Sequence, residues 1–157
     1  MEEPGTIHNT FVIERTLAKA PDQVFAAFSD PTKKKRWYAE GRGHELIAYE
    51  LDFRQGGRER LEIRMGANTP FPGAAVGYDM EIADIVPNQR IVIAQSMDFR
   101  GRRVSVALIT FELMAADGGG TTLICTHQAA FFEGADGPAI REQGWRALFD
   151  RLAEFLQ

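Results

Sequence analysis

The feature that constrains this chain most is an abrupt change of hydrophobic period near its C-terminus. Between residues 45 and 131, apolar side chains recur largely at every second position, the period of a strand with one buried face. After Pro138 the period changes. Trp145, Leu148, Phe149, Leu152, Phe155 and Leu156 follow at i, i+3, i+4, i+7, i+10 and i+11, one wide stripe of a helix. Arg141, Glu142, Arg146, Asp150, Arg151 and Glu154 fall outside that stripe and read as its solvated side. A sheet and a helix that are each apolar on one side must cover one another. A 157-residue chain can take roughly 70% of its unfolded surface out of water, so one such core needs no disulfide or metal to hold it.

The remaining elements follow from local chemistry. Thr10 to Leu17 is β-rich and alternating, an opening strand. Val24, Phe25 and Phe28 then share one side of a short helix, with Asp22 as the expected cap. Asp30-Pro31 stops that helix and starts a second, brief one that ends in Lys33, Lys34, Lys35 and Arg36 before Trp37. Ile47, Tyr49, Leu51 and Phe53 share a strand face, as do Leu61, Ile63 and Met65, and Tyr78, Met80 and Ile82. Turns are expected at Gln55-Gly56-Gly57, Pro87-Asn88, Gly101 and Gly118 to Gly120. Short turns between successive strands imply antiparallel pairing. The predicted fold is α+β: a curved antiparallel sheet of about six to seven strands wrapped round a long C-terminal helix, with two short helices after the first strand. One domain is expected over residues 10–157, with residues 1–9 flexible.

Charge and cysteine content exclude several functions. The net charge is −4 and the pI about 5.4, which gives no attraction to nucleic acid. Lys33 to Arg36, and Arg100, Arg102 and Arg103 about a hairpin turn, read as solvated ends and edge protection. No apolar run approaches the ~18 residues of a membrane span, and the first ten residues lack the pattern of a signal peptide. The single Cys125 implies no internal disulfide and a reducing cytoplasm. His8, His44 and His127 have no metal-ligand spacing, so neither a metal nor another cofactor is expected. Ser29, Ser96 and Ser105 sit in no nucleophile elbow. Cys125 and His127 share the parity of Leu123 and point inward. His127, Glu59 and Glu112 are the candidates for acid–base work, and Glu59, inward by parity, is expected to pair with a neighbouring arginine.

Several motifs resemble a known superfamily. Phe28-Ser29-Asp30-Pro31 with Arg36-Trp37 resembles the signature that follows the first strand of the SRPBCC (START-like, helix-grip) proteins. Asp52-Phe53-Arg54-Gln55-Gly56-Gly57-Arg58 is similar to a stretch of the family named after activators of a heat-shock chaperone's ATPase. Asp84-Ile85-Val86-Pro87 with Arg90-Ile91-Val92, then Gly120-Thr121-Thr122-Leu123, then Gly144-Trp145 with Leu148, Asp150, Arg151 and Leu152, match in the same order. The resemblance implies a deep cavity between sheet and helix, used across the superfamily for hydrophobic molecules.

Trp37, Tyr49, Met65, Tyr78, Met80, Met97, His127, Trp145 and Phe149 fall on the inward faces or at the mouth and are the expected cavity lining. Methionine adapts to varied ligand shapes, while tyrosine and His127 supply orienting polar contacts. The leading expectation is therefore a cytoplasmic protein that binds a hydrophobic or amphipathic small molecule. The alternatives are a cavity enzyme of cyclase, isomerase or hydrolase type, with His127 as its acid–base group, and a regulator of a chaperone ATPase. Pairing into a homodimer is compatible with either class.

Overall fold

A computed structural model describes residues 5–157. Seven strands form one antiparallel sheet: β1 (Ile7–Leu17), β2 (Glu45–Leu51), β3 (Arg58–Arg64), β4 (Ala75–Val86), β5 (Arg90–Phe99), β6 (Arg102–Ala115) and β7 (Thr121–Phe131). Their order is β1-β7-β6-β5-β4-β3-β2. Strands β2 to β7 are thus a simple meander, and β1 returns to pair with β7. Helices α1 (Pro21–Ser29) and α2 (Pro31–Lys34) fill the crossover from β1 to β2. The long helix α3 (Pro138–Phe155) closes the chain. This is the expected α+β, helix-grip architecture. Among the described residues no helix is long and apolar enough to cross a membrane.

Local details depart from the sequence expectations for identifiable reasons. Strand β1 begins at Ile7, because its first residues pair with the end of β7, from Ile7 opposite Phe131 onward. Residues 7–9, expected to be flexible, are thus held in the sheet, and residues 1–4 lie outside the described set. Asp22 lies in the first turn of α1 but does not cap it; Ala20 holds that position and Pro21 supplies the first helical residue. Asp30 does cap α2, accepting from the amides of Thr32 and Lys33. Ile47 is exposed, since a bulge between Leu46 and Ala48 reverses the parity at the start of β2.

After α2 the chain winds into a π turn, Lys35–Ala39, which buries Trp37, Tyr38 and Ala39 in succession. Arg151 of α3 locks this turn in place. Its guanidinium donates to the carbonyls of Arg36, Trp37, Glu40 and Gly41, acceptors left free where the π turn ends.

The dry core lies between the C-terminal half of α3 and the β1–β7–β6 side of the sheet. Phe149 and Leu152 pack there with Ile13, Leu123, Ile109 and Phe111, all essentially inaccessible. Trp37 joins them edge-on to Phe28, its indole N–H donating to the Ala27 carbonyl at 2.9 Å.

The β2–β3 turn explains its glycines. Gly56 has a φ of +78°, a conformation that side chains disfavour. At Gly57 an added Cβ would lie 2.1 Å from the Asp52 carbonyl oxygen. Gly57→Ala is expected to cost ~1–3 kcal/mol, as overpacking against backbone does. Urea unfolding would measure it; an unchanged midpoint would show that the turn relaxes freely.

Candidate functional site

The N-terminal half of α3 stands off from the sheet, and a cavity of about 540 Å³ lies beneath it. Its floor is the inner face of β3 to β6, through Ile63, Val76, Tyr78, Gln95, Met97 and Val104. Its roof is α3, through Ile140, Arg141, Gly144, Trp145 and Leu148. Three loops form the rim: Arg42 to His44 after the π turn, Thr69 to Phe71 between β3 and β4, and Gly134 to Asp136 before α3. Phe71 and Ile140, about half exposed, mark the mouth as apolar.

Gly144 explains why the roof does not close. It lies in the helix on the cavity side, and a Cβ built there would meet nothing within 4 Å. A larger residue at this point would reach into the space that the glycine leaves.

The polar groups of the wall come from separate elements. Tyr38 reaches the cavity from the π turn and, among the described residues, donates only to the Met80 thioether, at 3.7 Å. Burial, reinforced by the charge of Glu59, pushes its phenol pKa well above the ordinary value. Burial also raises that of Tyr78. Both phenols therefore keep their protons and can donate. His44 at the rim is pushed down, by burial and then by the neighbouring Arg42, so it is neutral at pH 7.

Arg141 is the one charged side chain buried in the roof. Asp136 receives two hydrogen bonds from it, both at 2.8 Å. Its Nη2 also donates to Ser105 Oγ at 2.9 Å and meets the Met97 sulfur at 3.0 Å. The Phe131 ring lies 5.0 Å from the guanidinium carbon.

A second buried cluster adjoins the cavity behind Tyr38. Lys34 Nζ sits 2.7 Å from both carboxylate oxygens of Glu59, and Tyr49 donates to the same carboxylate at 2.5 Å. The ammonium lies 4.7 Å from the centre of the Tyr38 ring. Two sequence expectations are corrected here. Glu59 pairs with a lysine rather than an arginine, and Lys34 leaves the solvated basic run because the chain turns it beneath the sheet edge.

Of the nine residues expected to line the cavity, the structure brings four together there: Met65, Tyr78, Met97 and Trp145. Trp37, Met80 and Phe149 point inward but are absorbed by the packed core. Tyr49 is occupied by Glu59. His127 is fully buried outside the lining, stacked on Phe11 at 4.5 Å between ring centres, and neither ring nitrogen has a partner among the described residues. Burial, and then the charge of Arg141, pushes its pKa down to about 4. Glu112, the third acid–base candidate, is exposed on the outer face of β6. Cys125 is buried as its parity implied, its thiol pushed up to about 12. No group of three His, Cys, Asp or Glu among the described residues could hold a metal.

Sequence reasoning missed Tyr38, Gln95, Asp136 and Arg141. Arg141 had a legible signal, because it precedes Trp145 by four positions and so shares its helical face. Tyr38 had none: only a π turn directs it and its neighbour Trp37 inward together.

Comparison with known proteins agrees with this geometry. The chain is 38% identical to an uncharacterised protein of Rhizobium leguminosarum, covering 96% of this chain and 95% of that one with a TM-score of 0.86. With protein Mll3558 of Rhizobium loti the identity is 41%, over 96% and 99% of the two chains, and the TM-score 0.85. CalU16 of Micromonospora echinospora shares the fold at 20% identity, over 99% and 85%, with a TM-score of 0.63. No curated protein sequence matches. The family model described as Activator of Hsp90 ATPase homolog 1-like protein matches residues 18–157, nearly the whole domain, and the chain belongs to that family.

Proposed function

We propose that the protein binds a hydrophobic or amphipathic small molecule in the cavity beneath α3. The observation that carries this reading is the cavity itself: about 540 Å³, walled mainly by apolar side chains, and kept open by a glycine in mid-helix. Pockets for small ligands commonly occupy roughly 300–1,000 Å³ and combine apolar walls with a few polar groups. A helix interior disfavours glycine by roughly 1 kcal/mol relative to alanine. A glycine there, facing a void, suits a protein in which the void is used. The acid–base alternative relied on His127, which lies outside the cavity lining, so retention of a ligand is preferred to its turnover. The single buried Cys125 suits a reducing compartment such as the cytoplasm.

Native mass spectrometry of the purified protein, compared with its denatured mass, tests the reading. A discrete extra mass lost on denaturation is expected. Gly144→Phe should remove it, because the ring enters the cavity, while the melting temperature stays within a few degrees. Gly144→Ala should leave binding intact and stabilise by roughly 0.5–1 kcal/mol. A bare wild-type mass, together with no affinity for apolar dyes, would overturn the proposal.

A further inference from the structure

The geometry points to Arg141 as the group that receives an anionic oxygen of the ligand, so that the cavity selects apolar molecules carrying a carboxylate, enolate, phenolate or similar acid. This inference rests on the cavity being a binding site and names the chemical class that the site takes.

Three observations converge on it. The first is the state of the guanidinium's donors. Arg141 is only 6% exposed, and its Nη1 is buried with no hydrogen-bond partner among the described residues. A buried donor left unpaired costs roughly 1–3 kcal/mol, more for a charged group. Its Nη2 is engaged in part with the Met97 sulfur, and a thioether is a weak acceptor. Met97 itself lines the cavity on a flexible side chain. The two N–H groups of Nη2 already go to Asp136 and Ser105, so a ligand oxygen entering as the Met97 side chain moves aside would be received by the unpaired Nη1.

The second observation is the charge of the wall. Arg42 and Arg141 face it, against the single carboxylate of Asp136, while His44 is neutral at pH 7. The balance over the wall is one positive charge, with Arg42 half-buried at the rim and Arg141 buried in the roof beside Asp136, where Coulomb interactions are stronger than in water. A neutral ligand would leave that charge uncompensated; a monoanion would compensate it.

The third is the surplus of donors. Gln95 is 3% exposed, and its side-chain amide lies in the cavity wall. The Tyr78 hydroxyl lies in the same wall, and among the described residues Tyr38 donates only to a sulfur. The Gln95 amide and both phenols line the same cavity as Arg141. Such a wall supplies hydrogen bonds to oxygens along the ligand as well as to its acidic end. Aromatic rings of Trp145 and Tyr78 offer the intervening skeleton flat apolar contact.

The test uses two fluorescent probes on one skeleton, 1-anilinonaphthalene-8-sulfonate and its neutral parent N-phenyl-1-naphthylamine, titrated into the full chain at pH 7. The wild type should bind the sulfonate at least tenfold more tightly. Arg141→Met should abolish that preference while affinity for the neutral probe changes less than threefold. Asp136→Asn should shift the preference the other way, tightening the sulfonate threefold or more, because it removes the competing carboxylate. Should Arg141→Met fail to fold, Asp136→Asn still decides. Gly144→Phe should weaken both probes, and sulfonate binding that survives it lies outside the cavity and overturns the assignment. Neutral-probe binding with no anion preference, or a preference untouched by both variants, would overturn the role of Arg141 while leaving the cavity as a binding site. No binding of either probe, with a bare native mass, would overturn both.

Discussion

Lys34→Met is expected to lower the free energy of unfolding by roughly 3–5 kcal/mol, the loss typical when one partner of a buried ion pair is removed. Lys34 and Glu59 are 6% and 1% exposed, and both carboxylate oxygens lie 2.7 Å from the ammonium. Methionine keeps the length and apolar stem of the lysine but leaves the Glu59 charge out of water with only the Tyr49 hydroxyl to solvate it. The penalty belongs to the stranded charge rather than to the attraction lost. Lys34→Met combined with Glu59→Gln should therefore recover most of the stability, since a neutral amide oxygen can still accept the hydrogen bond from the Tyr49 hydroxyl. Urea unfolding of the wild type, the two single variants and the double variant gives the coupling directly. Additive losses across the four proteins would show that the pair does not act as a unit.

The second large effect is a dependence on pH at His127. Its folded pKa is pushed down to about 4 from an ordinary value of 6.5, first by burial and then by the Arg141 charge. Between those two values the unfolded chain binds a proton that the folded chain excludes. Stability is thus unaffected by this group above pH 6.5 and falls as the pH drops toward 4. The integrated loss is roughly 3 kcal/mol. His127→Leu removes both the titration and two buried nitrogens that lack partners. The variant should match or exceed the wild type at pH 7, and its advantage should grow by roughly 3 kcal/mol on going to pH 4. Comparing the two proteins cancels the carboxylates that titrate in the same range. A constant difference from pH 7 to 4 would mean that His127 acquires its proton without penalty.

The sheet and its helix were legible because each repeats a simple period. Leu61, Ile63 and Met65, or Leu148, Phe149 and Leu152, announce their buried side through spacing alone. What spacing could not show was how far the two surfaces stand apart. Trp145 and Phe149 share one stripe, yet Trp145 roofs the cavity and Phe149 is sealed in the core. Parity likewise assigned Met80 and Tyr78 to one face without distinguishing packed wall from open wall. Charge was the second source of error. Spacing places Lys34 and Arg141 among solvated cations, whereas each is buried beside a carboxylate from a distant or preceding segment. Such pairing is a tertiary fact. The π turn and the bulge at Ile47 belong to the same class: each shifts the inward set by local backbone geometry that no period of 2 or 3.6 contains.

The two halves of α3 have a consequence for how such a protein can diverge. Phe149, Leu152 and Leu156 are committed to the packed core, where a change of one methylene is felt by the whole domain. Ile140, Arg141, Gly144, Trp145 and Leu148 border the cavity, where a change of size alters the shape of the void before it alters the fold. Lineages can therefore reshape the cavity by substitutions within two turns of one helix, while the next two turns keep the scaffold intact. Relatives with a common backbone are then expected to differ in cavity shape chiefly through this short segment and the strand positions facing it.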